Sequence, residues 1–334
     1  MASLKGTDKV LEKLKESVEN GNYYEAHQMY RTVCRRYIKQ KKYSRAIDLL
    51  FSGAQTLLKH KQTGSGVDLS LYLIDAYNDE EMAVTEESRA RIIQLLSLFP
   101  SDEPGRKRFI DSAVSWSVKF GENPAGDPEL HHFIAEILHK DKMYSEAEPH
   151  FLAGTTESSK SYGKMLLGWS DQDQPSKRGA YIARAVLQYL CLRSIRDAKI
   201  AFDAFVTDLS EKDPEIKAGT AQYNPTITGD AIDVTIYSLP LLNFLQLLIL
   251  TVQREASDLF SDLRNRYKSA LSVEPSFEDL LNKIGEVFFN IRVQRPQQFN
   301  IFQDLVNSLF TSGSGTSSLG STSYTRANPQ NELD

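Results

Sequence analysis

Gly21-Asn22-Tyr23-Tyr24-Glu25-Ala26, then Lys42-Tyr43-Ser44-Arg45-Ala46, and later Met143-Tyr144-Ser145-Glu146-Ala147 carry the pattern that decides the fold class. Each copy places a short-linker signal before Tyr-x-x-Ala, in which an aromatic wedges between helices and the small Ala permits close approach. Downstream of the first copy, Tyr23, Ala26, Tyr30, Val33, Cys34 and Tyr37 fall on one helical stripe about 100° wide. The second copy repeats the stripe with Ala46, Ile47, Leu50, Ala54, Leu57 and Leu58. The step of 20 residues from Tyr23 to Tyr43 is too short for a full two-helix repeat of ~34 residues. The expectation is therefore an all-α chain, an irregular, tetratricopeptide-like α-solenoid of helical hairpins.

Working outward, similar periodicity predicts helices over 66–78, 85–99, 105–120, 128–140, 144–154, 158–169, 178–192 and 195–211, separated by short linkers such as those at Pro100 to Pro104 and Gly121 to Asp127. Thr63-Gly64-Ser65-Gly66-Val67 reads as one more linker. One interval changes period from 3.6 to 2: Ala221 to Thr228 and Ala231 to Tyr237 flank Gly229-Asp230, and Ile232, Val234 and Ile236 alternate with Asp233 and Thr235. This predicts a β-hairpin over 221–237, which cannot stand alone in water and must lean on helices or on something bound to them. Helices are expected again over 239–255, 256–270 and 277–291, the last with Ser276-Phe277-Glu278-Asp279 offered as a capping box, and from Phe299 to Phe310. Beyond Thr311 the chain is mostly Ser, Thr and Gly, the composition of a flexible tail. The expected organisation is an N-terminal half over 1–155, a C-terminal half over 156–310 and a tail over 311–334.

Composition narrows the class. With 41% hydrophobic and 25% charged residues in 334, disorder over most of the length is excluded. Cys34 and Cys191 are distant and sit in helical patterns, which fits a reducing compartment. The opening MASLKGTDKV lacks the apolar core of a signal peptide, and Leu239 to Val252 is too short and too interrupted to span a bilayer, so a cytosolic chain is expected. The net charge of -5 hides an asymmetry, because residues 1–62 hold 13 Lys plus Arg against 6 Asp plus Glu. Such blocks favour an electrostatically steered partner.

The catalytic motifs are missing: no phosphate-loop Lys follows the glycines at 64 and 66, no Gly-x-Ser-x-Gly occurs, and His131, His132, His139 and His150 with Glu146 show no HExxH spacing. No catalysis and no cofactor are expected. Arg31, Arg35, Arg36, Lys39, Lys41, Lys42 and Arg45 form a basic cluster, with 31, 35 and 39 on one outward line of their helix. A solvated face, an RNA-binding face and a docking face for an acidic protein all remain open for it. Leu239 to Val252 is apolar around most of its circumference and is either a core helix or the floor of a partner groove.

Gly21-Asn22-Tyr23-Tyr24-Glu25-Ala26-His27-Gln28-Met29-Tyr30-Arg31-Thr32 closely resembles the signature of the Golgi-to-ER traffic protein four family. Asp68-Leu69-Ser70, the stretch from Pro128 to Leu152, Ala185 to Leu192, Pro240-Leu241-Leu242-Asn243-Phe244 and Ile284-Gly285 with Phe288-Phe289 resemble it in the same order. The resemblance implies a non-enzymatic α-solenoid adaptor in the post-translational targeting of tail-anchored membrane proteins to the endoplasmic reticulum. Its N-terminal half is implied to dock a targeting ATPase, with Arg31, Arg35, Arg36, Lys39, Lys42 and Arg45 as candidate contacts and Asp75 as a candidate regulatory one. Its C-terminal half is implied to hold the N-terminal segment of a ubiquitin-like-domain protein that recruits co-chaperones, against Ile232, Val234 and Ile236 of the hairpin with Leu241, Leu242, Phe244, Leu245 and Leu248. Animal members add a BAG-domain chaperone partner. The alternative is a helical-repeat scaffold whose basic face binds RNA or another protein; neither nucleic acid nor membrane insertion is expected on the family reading.

Overall fold

A 20-residue frame governs the first four helices: α1 (Ala2–Glu19), α2 (Tyr23–Lys39), α3 (Tyr43–Lys59) and α4 (Thr63–Asp79). The computed structural model describes residues 2–223 and 232–291. Each helix of the frame ends in the same turn. After α2, the Lys41 N–H donates to Ile38 O and the Lys42 N–H to Tyr37 O, with Lys41 left-handed at φ 55°. That pair of bonds is the Schellman cap, which satisfies carbonyls that the helix end would otherwise orphan. It recurs at Gly21, Lys61 and Glu81, and further on at Lys142, Arg193 and Glu255. Only the first of these seven left-handed positions is glycine.

The frame also fixes the packing. Ala26 and Ala46 are fully buried at the fourth position of α2 and α3, and Gly66 occupies the same position in α4, where a Cβ would come within 2.6 Å of Leu58 Cγ. Thr63 to Val67 is thus the first turn of α4 and not a linker: the small residues serve close helix approach. Tyr37, Leu57 and Tyr77, at the turn position that accepts the longer bond, are all buried.

The remaining helices are α5 (Glu86–Leu96), α6 (Gly105–Phe120), α7 (Pro128–Lys140), α8 (Tyr144–Ala153), α9 (Thr156–Ser170), α10 (Arg178–Cys191), α11 (Ile195–Lys212), α12 (Pro240–Gln253), α13 (Ser257–Arg266), α14 (Lys268–Leu271) and α15 (Ser276–Phe289). They alternate between two layers. In one, α2 packs on α4 and α4 on α6; in the other, α3 packs on α5, α5 on α7, α7 on α9 and α9 on α11. The first layer resumes as α8, α10 and α12. At the α9–α11 crossing the backbones touch, since a Cβ on Gly163 would lie 2.2 Å from Ala201 O. One buried cluster runs from Leu14 to Ile284. Both cysteines are buried and free.

Several expectations need correction. Helix α1 was not anticipated, because only Leu14 and Ser17 of its described side chains are buried. The segment over 256–270 is not one helix; it bends at Tyr267, whose ring packs 5.6 Å from Phe244. The Ser276 capping box does not form. The helix begins one residue earlier, after Pro275, and the Ser276 hydroxyl donates to Glu274 Oε1 instead. The hairpin is antiparallel, but its first strand starts earlier than expected: β1 (Lys217–Tyr223) pairs with β2 (Ile232–Tyr237), with an irregularity between Lys217 and Gly219. The Gly229-Asp230 turn, the helix expected from Phe299 to Phe310 and the tail lie outside the described residues.

The histidines do not converge on a common point. His131 Nε2 bonds Ala125 O at 2.9 Å, and His131 Nδ1 faces His150 Nδ1 at 2.8 Å. A carbonyl can only accept, so His131 carries its proton on Nε2, and its Nδ1 must accept from His150 Nδ1–H. His132 bonds Ser158 Oγ, and His139 packs on Tyr144 and Phe151. Burial, then the neighbouring His131 and Lys107, push His150 down from 6.5 to about 3, and burial lowers His131 too.

Two predictions follow from these contacts. Lys61→Gly and Lys142→Gly relieve a left-handed side chain and should each stabilise the fold by ~1 kcal/mol, whereas Gly163→Ala, which drives a methyl into a backbone carbonyl, should cost ~1–3 kcal/mol; denaturant midpoints check both signs. Because the unfolded chain protonates its histidines below 6.5 while the folded pair resists, stability is full above that pH and falls as pH drops towards about 3, where His150 titrates in the folded chain. The fall should be smaller in His150→Gln.

Candidate interaction surfaces

The hairpin is fastened by the polar residues that interrupt α12. Asn243 uses its side-chain amide as a strand would use its backbone: the Tyr237 N–H donates to Asn243 Oδ1 at 2.8 Å, and Asn243 Nδ2 donates to Tyr237 O at 2.8 Å. One helical turn on, Gln246 Nε2 donates to Thr235 O at 3.2 Å. Tyr237 is buried and meets Phe202 edge-on, so the Thr235 and Tyr237 face of β2 is the side turned to the helices. Val234 and Ile236 point the other way, with Ile236 41% exposed. Register places Gly219 opposite Ile236 and Ala221 opposite Val234, and β1 is exposed over its described side chains. A two-stranded sheet with one apolar face towards solvent is a poor end state in water. Ile232 pairs with Tyr223 at the end of the ladder nearest the strand connection; its side chain lies outside the described residues.

The five α12 residues named as groove-lining sit elsewhere. Leu242, Phe244, Leu245 and Leu248 are 0% exposed and Leu241 is 8%. Helix α12 is enclosed by α10, α11, α13, α14 and β2, so these side chains belong to the chain's own core and carry the hairpin from beneath. Asn243 and Gln246 are the residues that sequence reasoning passed over; their signal was a three-residue polar spacing on an otherwise apolar helix.

At the other end, the basic cluster divides. Arg31 does not project outward as expected. Its guanidinium grips both oxygens of Asp68 on α4 and lies 5.8 Å from the Tyr72 ring centroid, while His27 Nε2 bonds Asp68 Oδ2 at 2.8 Å. Burial works against the Asp68 carboxylate, but the hydrogen bonds from His27 and Arg31 and the guanidinium charge outweigh it and hold its pKa below the ordinary value. Arg31 therefore staples α2 to α4. Arg35 lies beside Tyr72, and Arg36, Lys39, Lys42 and Arg45 are exposed; none of these five has an ion pair among the described residues. Lys42 Nζ donates to Gln40 Oε1 at 2.8 Å. Asp75 is exposed two turns beyond Asp68 on α4; partial desolvation, with Asp79 and Asp68 adjacent, raises its pKa against the pull of Arg108. Arg31 and Arg35 thus face α4, at Asp68 and Tyr72, and Asp75 lies further along that helix, whereas Arg36 and Lys39 are exposed on α2 and Lys42 and Arg45 at the start of α3.

Among the described residues, no helix is long and apolar enough to cross a membrane, and no group of three or more His, Cys, Asp or Glu could hold a metal ion.

Comparisons with known proteins agree with this architecture. The family model described as Golgi to ER traffic protein 4 matches residues 40–310. Golgi to ER traffic protein 4 of Aspergillus fumigatus is 37% identical over 320 residues, covering 92% of this chain and 90% of the relative. The human Golgi to ER traffic protein 4 homolog is 33% identical over 313 residues, covering 93% and 88%. A crystal structure of C. therm. Get4 superposes with a TM-score of 0.77 at 36% identity, covering 95% of this chain and 99% of that one. With a family match over most of its length, relatives above 30% identity and the same helical solenoid bearing one small sheet, the chain belongs to the Golgi to ER traffic protein 4 family.

Proposed function

We propose that this chain is a non-enzymatic, cytosolic adaptor with one protein partner at each end, serving the targeting of tail-anchored membrane proteins to the endoplasmic reticulum. The observation that carries the reading is the pairing of two unlike, unsatisfied surfaces on one continuous helical body. The exposed cations of α2 and of the start of α3, which have no ion pair among the described residues, suit an acidic surface of a targeting ATPase. The hairpin offers Val234 and Ile236 to the N-terminal segment of a ubiquitin-like-domain protein, which covers an apolar face that the described residues leave open. In this reading residues 1–155 serve the ATPase and 156–310 the ubiquitin-like protein, with a BAG-domain chaperone added in an animal setting. Arg31 acts chiefly as the staple that holds α2 in place; Arg35, Arg36, Lys39, Lys42 and Arg45 meet the partner, and Asp75 tunes the contact.

The two ends are testable separately. Arg35→Glu with Lys39→Glu should slow association with the ATPase and flatten its salt dependence at unchanged helicity; kinetics identical to those of the unaltered chain at every salt concentration would remove this face from the interface, and tight binding to RNA instead would favour a nucleic-acid reading. Val234→Asp with Ile236→Asp should weaken the ubiquitin-like protein by tenfold or more, ~1.4 kcal/mol, without lowering the melting temperature. Asn243→Ala should act on the same partner by another route. It strips two bonds from Tyr237, at ~1–3 kcal/mol, and its signature is lost amide-exchange protection at Tyr237 ahead of any global unfolding.

A further inference from the structure

The alternation of layers skips one step. Where α6 and α8 would meet, a cleft of about 320 Å³ opens between them, floored by Val114, Leu138 and His131. It lies apart from both surfaces described above.

Its polar lining is rich in acceptors that lack donors. Asp111 on α6 is half-buried and makes no hydrogen bond or ion pair among the described residues; burial raises its pKa, with Lys107 opposing the rise and Glu146 across the cleft adding to it. The exposed Glu146 side chain on α8 has no bonded partner among the described residues either. His150 is partly buried, and its Nδ1 proton is spent on His131, so its Nε2 is left as a neutral acceptor without a partner among the described residues on a ring that lines the cleft. That nitrogen stays unprotonated at physiological pH, since the group titrates only at about 3. Pro149 lies inside α8 and has no N–H, so the Ser145 carbonyl loses its helical donor beside the same cleft. The cations do not balance these groups. Arg106 is buried and directs its charge to Asp141 at 2.6 Å, its Nε being the one lining donor left without an acceptor among the described residues, and Lys107 stands near Asp111 with no ion pair among those residues. Apolar Ile110, Met143 and Pro149 line the walls.

We infer that the α6–α8 cleft binds a donor-rich cationic group on an aliphatic stem, an alkylammonium or a guanidinium, with Asp111 and Glu146 facing its charge, His150 Nε2 and the Ser145 carbonyl taking further donors, and the apolar walls holding the stem. Such a group reaches the cleft either as a lysine or arginine side chain of a bound protein or as a free polyamine. The inference does not depend on the adaptor reading, and its test uses neither adaptor partner.

The full chain is titrated with Nα-acetyl-arginine amide and with spermidine, with Nα-acetyl-citrulline amide as the uncharged isostere, and the imidazole nitrogens of His131 and His150 are followed by NMR. Saturable binding of a cationic probe that moves the His150 Nε2 resonance, with no response to the citrulline compound, supports the assignment. Acetyl-arginine amide alone points to a protein side chain, spermidine alone to a free polyamine, and both to the shared group. Asp111→Asn and Glu146→Gln, checked by thermal melting to be folded, should each weaken binding on the order of tenfold, as expected for loss of a charge-assisted contact. Lys107→Ala should tighten it, because it removes the competing cation. Equal responses to arginine and citrulline compounds, no saturable binding, or undiminished affinity in both carboxylate variants would overturn the inference.

Discussion

The left-handed turn between consecutive helices is the constraint on which the rest of this molecule depends. A Schellman cap fixes where the chain leaves one helix and where it enters the next, so helices of equal length joined by it return to the same packing position after each turn. In α2, α3 and α4 this keeps a small buried residue, Ala26, Ala46 or Gly66, at the fourth position of each helix. Most of the turns place Lys, Arg or Glu in a conformation that suits glycine, and the two bonds per turn together with the buried side chain beneath outweigh that local cost. At Lys41, Lys61, Lys142 and Arg193 the positive side chain also lies at the negative end of the helix it terminates.

The same economy shapes the two exposed ends. Arg31 is a structural cation because Asp68 faces it across the helix interface, with His27 on the same carboxylate; its neighbours on the outer surface have no such counter-charge among the described residues. The hairpin is held through side-chain amides rather than through burial of its outer face, so it is both fixed in position and left open to be covered.

Much of the fold was legible because helical periodicity survives in sequence. Tyr-x-x-Ala announced the solenoid, and the switch to alternation at Ile232 to Ile236 announced the hairpin. The misses share a cause: local composition was read without the frame around it. Thr63-Gly64-Ser65-Gly66 has the composition of a linker, yet it stands in register with Tyr43-Ser44-Arg45-Ala46, where the last residue must be small. Ser276 has the type of a cap, but Pro275 already starts the helix. Arg31 was placed outward because a helix stripe says which residues face away from its own core and not what the next helix but one brings opposite. The α12 leucines were half-read as a groove for the same reason, since periodicity cannot count the neighbours of an all-apolar helix. The His131–His150 contact joins two residues whose separate helices only the tertiary fold brings together.

One helix plus one turn, not a pair of helices, is the repeating unit of the first 80 residues, and successive units alternate between the two layers. Inserting a single unit would therefore do to this solenoid what a one-residue slip does to a β-strand: every helix downstream would change sides, and each face would inherit the other's chemistry. Only an even number of units can be added or removed without exchanging the faces, and the molecule carries, in its helix count, a parity that its length alone does not reveal.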